Sequence, residues 1–248
     1  MSTDLAFGQH RPRLVAILVA SFMGFLVGQL VASAFEAFGA TLAHFPGGLT
    51  ALAKLDVPPW WANALGLVGL WIGFSAAILY AYGPGELKVL PDQWRLRPSD
   101  VIYLVLGPLL QVAVDLLYRP FHLRNLNKPV HHLFNGAQGW SFVLIGVMTT
   151  LLAPFFEEWF FRGVIYRALR DGLETRRMRS AEIIAVLGSA LLFAAAHGEP
   201  TQFAGLFALG VVLALLVART KRLTPSILTH VSFNAAALAA VIVQRSGH

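Results

Sequence analysis

From Leu14 to about Phe38 the chain runs for twenty-five residues with one charged side chain, Glu36. A helix needs about 20 predominantly apolar residues to cross about 30 Å of hydrocarbon, so this run alone suffices. Similar runs recur at about 60–82, 101–118, 140–157, 182–197, 202–218 and 224–243. Backbone in lipid must satisfy its own hydrogen bonds, which makes each run a helix. The expected fold is an all-α, polytopic transmembrane bundle of about seven to eight helices. Only 13% of residues are charged, against about 25% in soluble domains, which agrees with a bilayer as solvent.

Local signals set the boundaries. Trp60 and Trp61 open the second run at an expected interface, and Gly83-Pro84-Gly85 stops it. Gln111 and Asp115 interrupt the third, and the polar connection after it, with His122, His131 and His132, reads as a surface loop. The fourth starts at Trp140 and continues through Pro154 into Glu157, Glu158 and Arg162. Gly198-Glu199-Pro200 breaks the fifth, and Thr224 reads as the N-cap of the seventh with Pro225 first in the helix. The divisions expected are 1–139, with three spans and a connection, and 140–248, with four, together one membrane domain. His10, Arg11 and Arg13 precede the first run as in a signal peptide, but the length of that run favours a retained span.

The absence of cysteine excludes disulfides, thiolate metal sites and a cysteine nucleophile. The net charge of +6 is explained by basic residues flanking spans, so lipids rather than nucleic acid are the expected partners. With the N-terminus cytoplasmic, the inside segments hold fourteen of the nineteen lysines and arginines, among them Lys88, and the outside ones five, among them Arg124. That asymmetry gives an integral protein, expected in a bacterial cytoplasmic membrane, with its N-terminus inside.

Ionisable groups within spans cost about 2.5–3.5 kcal/mol each on the insertion scale, which makes them candidates for function. Three clusters stand out: Glu157-Glu158-x-x-x-Arg162, Phe193-x-x-x-His197 and His230-x-x-x-Asn234. Glu158 and Arg162 share a helix face in the favourable acid-before-base order. Glu157 is turned about 100° away and is free to point elsewhere. Phe193 shares a face with His197, and His230 with Asn234. Each cluster alone also fits a bland reading: solvated carboxylates at a helix end, an interfacial histidine, an interhelical hydrogen-bond pair. Glu157 and His197 are both twenty residues from position 177 and so face one another across an antiparallel turn. His230 lies about 12 Å beyond Arg222 along its helix, which is shallower unless the fourth and fifth helices project from the membrane.

In this order on successive late helices, the three motifs resemble those of the CAAX prenyl protease and bacteriocin-processing family. That family comprises type II CAAX endopeptidases and their bacterial relatives, the abortive-infection proteins. The resemblance covers about 140–243. It implies an intramembrane endopeptidase in which Glu157 activates water as general base and His197 helps hold that water. It further implies that His230 and Asn234 donate hydrogen bonds to the tetrahedral oxyanion, while Glu158, Arg162 and Phe193 support the site. The substrate implied is a membrane-associated protein or peptide, prenylated in eukaryotic relatives.

No cofactor is expected. The alternative is zinc held by Glu157, His197 and His230, whose side chains supply one carboxylate and two imidazoles; the helical His-Glu-x-x-His signature is absent. Two non-proteolytic readings stay open, a proton-relay transporter using the same residues and an inert membrane scaffold.

Overall fold

The computed structural model describes residues 14–55, 57–86, 93–121, 128–134 and 136–246. His10, Arg11, Arg13, Lys88, His122, Arg124 and His248 lie outside them. The described residues form helices and turns with no strand, so the helical membrane bundle is borne out.

The helices are α1 (Leu14–Leu42), the short α2 (Gly48–Leu52), α3 (Trp60–Glu86) and α4 (Tyr103–Tyr118), which a 3-10 turn at Pro98–Ile102 introduces. They continue with α5 (Lys128–Phe134), α6 (Trp140–Glu174), α7 (Ala181–Ala196), α8 (Phe203–Thr220) and α9 (Thr224–Ser246). Six stretches are long and apolar enough to cross a membrane, those of α1, α3, α6, α8, α9 and the run Pro98–Phe121 that contains α4. This chain is an integral membrane protein.

The fifth expected span, α7, has 16 residues. At 1.5 Å per residue it reaches only about 24 Å, short of a full crossing. Gly198, at φ 65, ends it at once. His197 and Glu199, just past its end, line the wall of a cavity.

α6 shows the opposite deviation. Its 35 residues span about 52 Å, so one end must extend past the hydrocarbon. A long projecting α6 and a short α7 together bring Glu157, His197 and His230 to one cavity despite their unequal distances from the loops.

Small residues set the packing of the first two spans. A Cβ on Gly73 of α3 would fall 2.1 Å from the carbonyl oxygen of Gly24 on α1, and one on Gly69 would lie 2.3 Å from the nitrogen of Ala32. The two backbones touch, as small-residue stripes permit in lipid. α3 then meets α6 through stacked rings, Phe74 on Phe160 at 4.1 Å and Trp71 on Phe156 at 5.0 Å between centroids. α9 packs along α4, and α7 along α8.

At the start of α9, the cap differs from expectation by one residue. Ile227 donates to the carbonyl of Leu223 at 2.9 Å, which makes Leu223 the cap and Thr224 the first helical residue. The Thr224 hydroxyl is turned away to the carbonyls of Gln93 and Arg95. Arg222 clamps Asp100 with both guanidinium nitrogens at 2.7 Å, and the hydrogen bond to Asp100 raises the pKa of Arg222 above its ordinary value. The α8–α9 turn is thus fastened to the entrance of α4.

A second correction concerns the connection before α6. Instead of a surface loop, residues 128–134 form α5, and His131 and His132 line the cavity. Asn63 of α3 donates to the carbonyls of His132 and Leu133, and Arg245 of α9 donates to those of Phe134 and Ala137. Those contacts fasten the short helix to the bundle.

Candidate active site

α6 is not a uniform α-helix. Met148–Leu152 and Glu158–Tyr166 are π-helical, with α-helical Ala153–Glu157 between them. Wide turns of this kind are rare overall and frequent at functional sites. Pro154 accounts for the first one chemically. In the i→i+5 register the partner of the Thr149 carbonyl would be the N–H of residue 154, and proline has none. The Asn234 side-chain amide of α9 fills that place, donating to the Thr149 oxygen at 2.9 Å. The second wide turn is supported from outside as well: Ser189 donates to the Phe161 carbonyl at 3.0 Å and Tyr82 to that of Gly163 at 2.7 Å.

The two adjacent glutamates meet different surroundings. Glu158 and Arg162 are both fully buried and paired at 2.8 Å. Glu158 also accepts from His230 Nδ1 at 2.9 Å and from the Ser226 hydroxyl. Arg162 sends its other arm to the Gly210 carbonyl at 3.1 Å, and its face lies 4.4 Å from the Phe193 ring centroid. A Cβ on Gly210 would sit 3.0 Å from Ala190 Cα, so the glycine lets α8 close on α7 where the arginine must reach. One ion pair thereby links α6, α7, α8 and α9.

Glu157 faces the cavity, about 600 Å³ in volume, whose wall also includes His197, His230, Asn234 and Thr149. Its carboxylate stands 3.8 Å from His230 Nε2. Phe193 lies between the two imidazoles, edge to face with His197 at 4.7 Å and with His230 at 5.6 Å. All four residues expected to carry the chemistry share this cavity, and all three supporting residues pack behind it.

Hydrogen-bond partners assign the tautomers. His197 Nδ1 contacts the Phe193 carbonyl at 2.8 Å. A carbonyl only accepts, so Nδ1 carries the proton and Nε2 keeps a lone pair. For His230, the partner of Nδ1 is a carboxylate already paired with Arg162, which likewise makes Nδ1 the donor. A singly protonated His230 therefore presents a lone pair at Nε2 and becomes a donor there only with a second proton.

Among the described residues no group of three His, Cys, Asp or Glu side chains is placed to hold a metal ion.

Sequence reasoning missed Ser226, Thr149 and the cavity-facing His131 and His132. Ser226 carried a usable signal: 226, 230 and 234 are spaced by four and line one polar stripe on α9. Asp115 also lines the cavity and accepts from Gln111 at 3.4 Å.

Residues 139–236 match the family described as type II CAAX prenyl endopeptidase Rce1-like. Among curated proteins, the membrane-embedded CAAX protease MroQ of Staphylococcus aureus (strain USA300) is 35% identical over 85 residues. That match covers 34% of this chain and 34% of the relative, so it spans about a third of either protein. No solved structure matches the chain.

Proposed function

We propose, on the match of residues 139–236 to the Rce1-like CAAX endopeptidase family, that the chain is an intramembrane endopeptidase with Glu157 as the base that activates water. The observation that carries this reading is the division of labour between the paired glutamates. Glu158 is consumed by Arg162, Ser226 and His230, while Glu157 is left facing a cavity beside an imidazole nitrogen. A carboxylate in such a place is a suitable general base.

In the proposed reaction Glu157 takes a proton from water, and His197 helps hold that water through its Nε2 lone pair. The resulting hydroxide attacks the peptide carbonyl. Asn234 offers the tetrahedral oxygen its second amide proton, since the first is committed to Thr149. His230 contributes as a donor when Nε2 is protonated, and Glu157 is near enough to exchange that proton with it. Donors arranged in advance around an oxyanion are worth about 2.7–4 kcal/mol each. Collapse to products returns a proton from Glu157 to the leaving amine, so the base is regenerated.

The substrate class proposed is a membrane-associated protein or peptide, and no step requires a metal. The N-terminus is proposed to be cytoplasmic, on the distribution of basic residues. Purified protein is to be incubated with a farnesylated CAAX peptide and with membrane-anchored candidate substrates, with and without chelator. Wild type should cleave, Glu157→Gln should lose about a thousandfold or more in kcat, and chelator should leave the wild-type rate intact. Cleavage that survives Glu157→Gln would reject the base assignment; zinc-reversible inactivation by chelator would reject the metal-free reaction.

A further inference from the structure

Ser226 lies outside the three motifs, yet it is fully buried and spends its only proton on Glu158. It sits one turn before His230 on α9. The two residues grip opposite oxygens of one carboxylate: Ser226 donates to Oε2, and His230 Nδ1 donates to Oε1 at 2.9 Å. Arg162 also bonds Oε1, at 2.8 Å. Oε1 therefore has two charged or chargeable partners, while Ser226 is the partner recorded on Oε2.

We infer that Ser226 is a positioning residue, which orients the Glu158 carboxylate so that His230 keeps its proton on Nδ1 and turns Nε2 toward Glu157. The inference rests on the proteolytic reading only for its kinetic consequence; the geometry stands independently. Two fixed points along α9 define the plane of the carboxylate. Removing one leaves a buried carboxylate oxygen without a donor, and such a group reorients to recover one. The donors within reach are those of Arg162 and His230, so the carboxylate turns and the Nδ1 bond loses its geometry. The imidazole is then free to exchange tautomers or rotate, and Nε2 no longer has a defined state at 3.8 Å from Glu157.

The test compares Ser226→Ala, Ser226→Thr and wild type as full-length protein in lipid nanodiscs. ¹⁵N-histidine NMR reads the His230 ring, assigned by its loss in His230→Gln. Wild type should give a protonated Nδ1 signal. Ser226→Ala should replace it with an exchange-averaged pair, and Ser226→Thr, which keeps the hydroxyl, should restore it. Cleavage by Ser226→Ala should fall roughly ten- to a hundredfold in kcat, the range for groups that orient catalytic side chains, with KM little changed and rescue by threonine.

An unaltered His230 signal in a folded Ser226→Ala protein overturns the inference, whatever the activity. If Ser226→Ala does not fold, the serine-to-threonine comparison decides: a His230 signal in Ser226→Thr that differs from wild type overturns the inference. If wild type cleaves nothing while the NMR signal shifts as stated, the proteolytic reading fails and the positioning role stands.

Discussion

The α1–α3 seam and the α6–α9 seam solve the same packing problem with opposite materials. Along α1 and α3 the contact is made by Gly24, Gly28, Ala32, Gly69 and Gly73, with backbone against backbone. Along α6 and α9 it is made by Glu158, Arg162, Ser226 and His230, all buried and joined by hydrogen bonds. In lipid the first arrangement is inexpensive, because close approach adds dispersion contacts and desolvates no charge. The second costs desolvation and is stable only while every member is present. A seam of the second kind is retained for what its charges do, which is why the chemistry is sought there.

The sharpest way to break that contrast is Arg162→Met. It leaves Glu158 fully buried opposite an apolar side chain, and removing one partner of a buried pair costs about 3–5 kcal/mol. The expected result is a large fall in Tm in detergent together with loss of cleavage. Adding Glu158→Gln should recover most of the Tm but none of the cleavage, because the neutral amide cannot hold His230 in the same state. A double variant no more stable than Arg162→Met would show that the charges do not form one unit.

Gly73→Val probes the other seam. Its Cβ would fall 2.1 Å from the Gly24 oxygen and 2.6 Å from the Gly28 backbone, neither of which can swing aside. Overpacking of this sort costs about 1–3 kcal/mol. Tm should drop, while the folded fraction keeps far more of its kcat than Arg162→Met does. Equal loss of kcat in both variants would mean that the two seams are mechanically coupled.

Much of this architecture was legible in the sequence because the bilayer allows few alternatives. Apolar run lengths located α1, α3, α6, α8 and α9, and the order of three polar clusters located the site. What was not legible depended on partners distant in sequence. His131 and His132 read as loop residues because nothing local reveals that Asn63 and Arg245 fasten α5 against the cavity. The depth of His230 left open whether the fourth and fifth helices project from the membrane, and only the observed 35-residue length of α6 speaks for projection. Thr224 looked like a cap, but its hydroxyl is drawn to Gln93 and Arg95, more than a hundred residues away. Ser226 was overlooked although the 226, 230, 234 spacing was there to read.

The mildest effect expected, and the one that tests where the two materials meet, is that of Pro154→Ala. The substitution restores an N–H that can reach the Thr149 or Thr150 carbonyl as a normal helix would. Alanine is also the better helix former by about 3 kcal/mol, but the wide turn is held from α9 as well, so the net change in Tm should be small and of either sign. The consequence for the site is specific. A backbone donor at 154 competes with Asn234 for the Thr149 oxygen, which releases the amide that the proposed mechanism needs in place. The expected outcome is a several-fold lower kcat at nearly unchanged Tm. In a double-mutant cycle, Pro154→Ala should cost little further activity once Asn234 is already alanine, because residues in one network do not add. Full additivity would separate the proline from the amide and reduce the wide turn at Met148–Leu152 to a matter of helix packing alone.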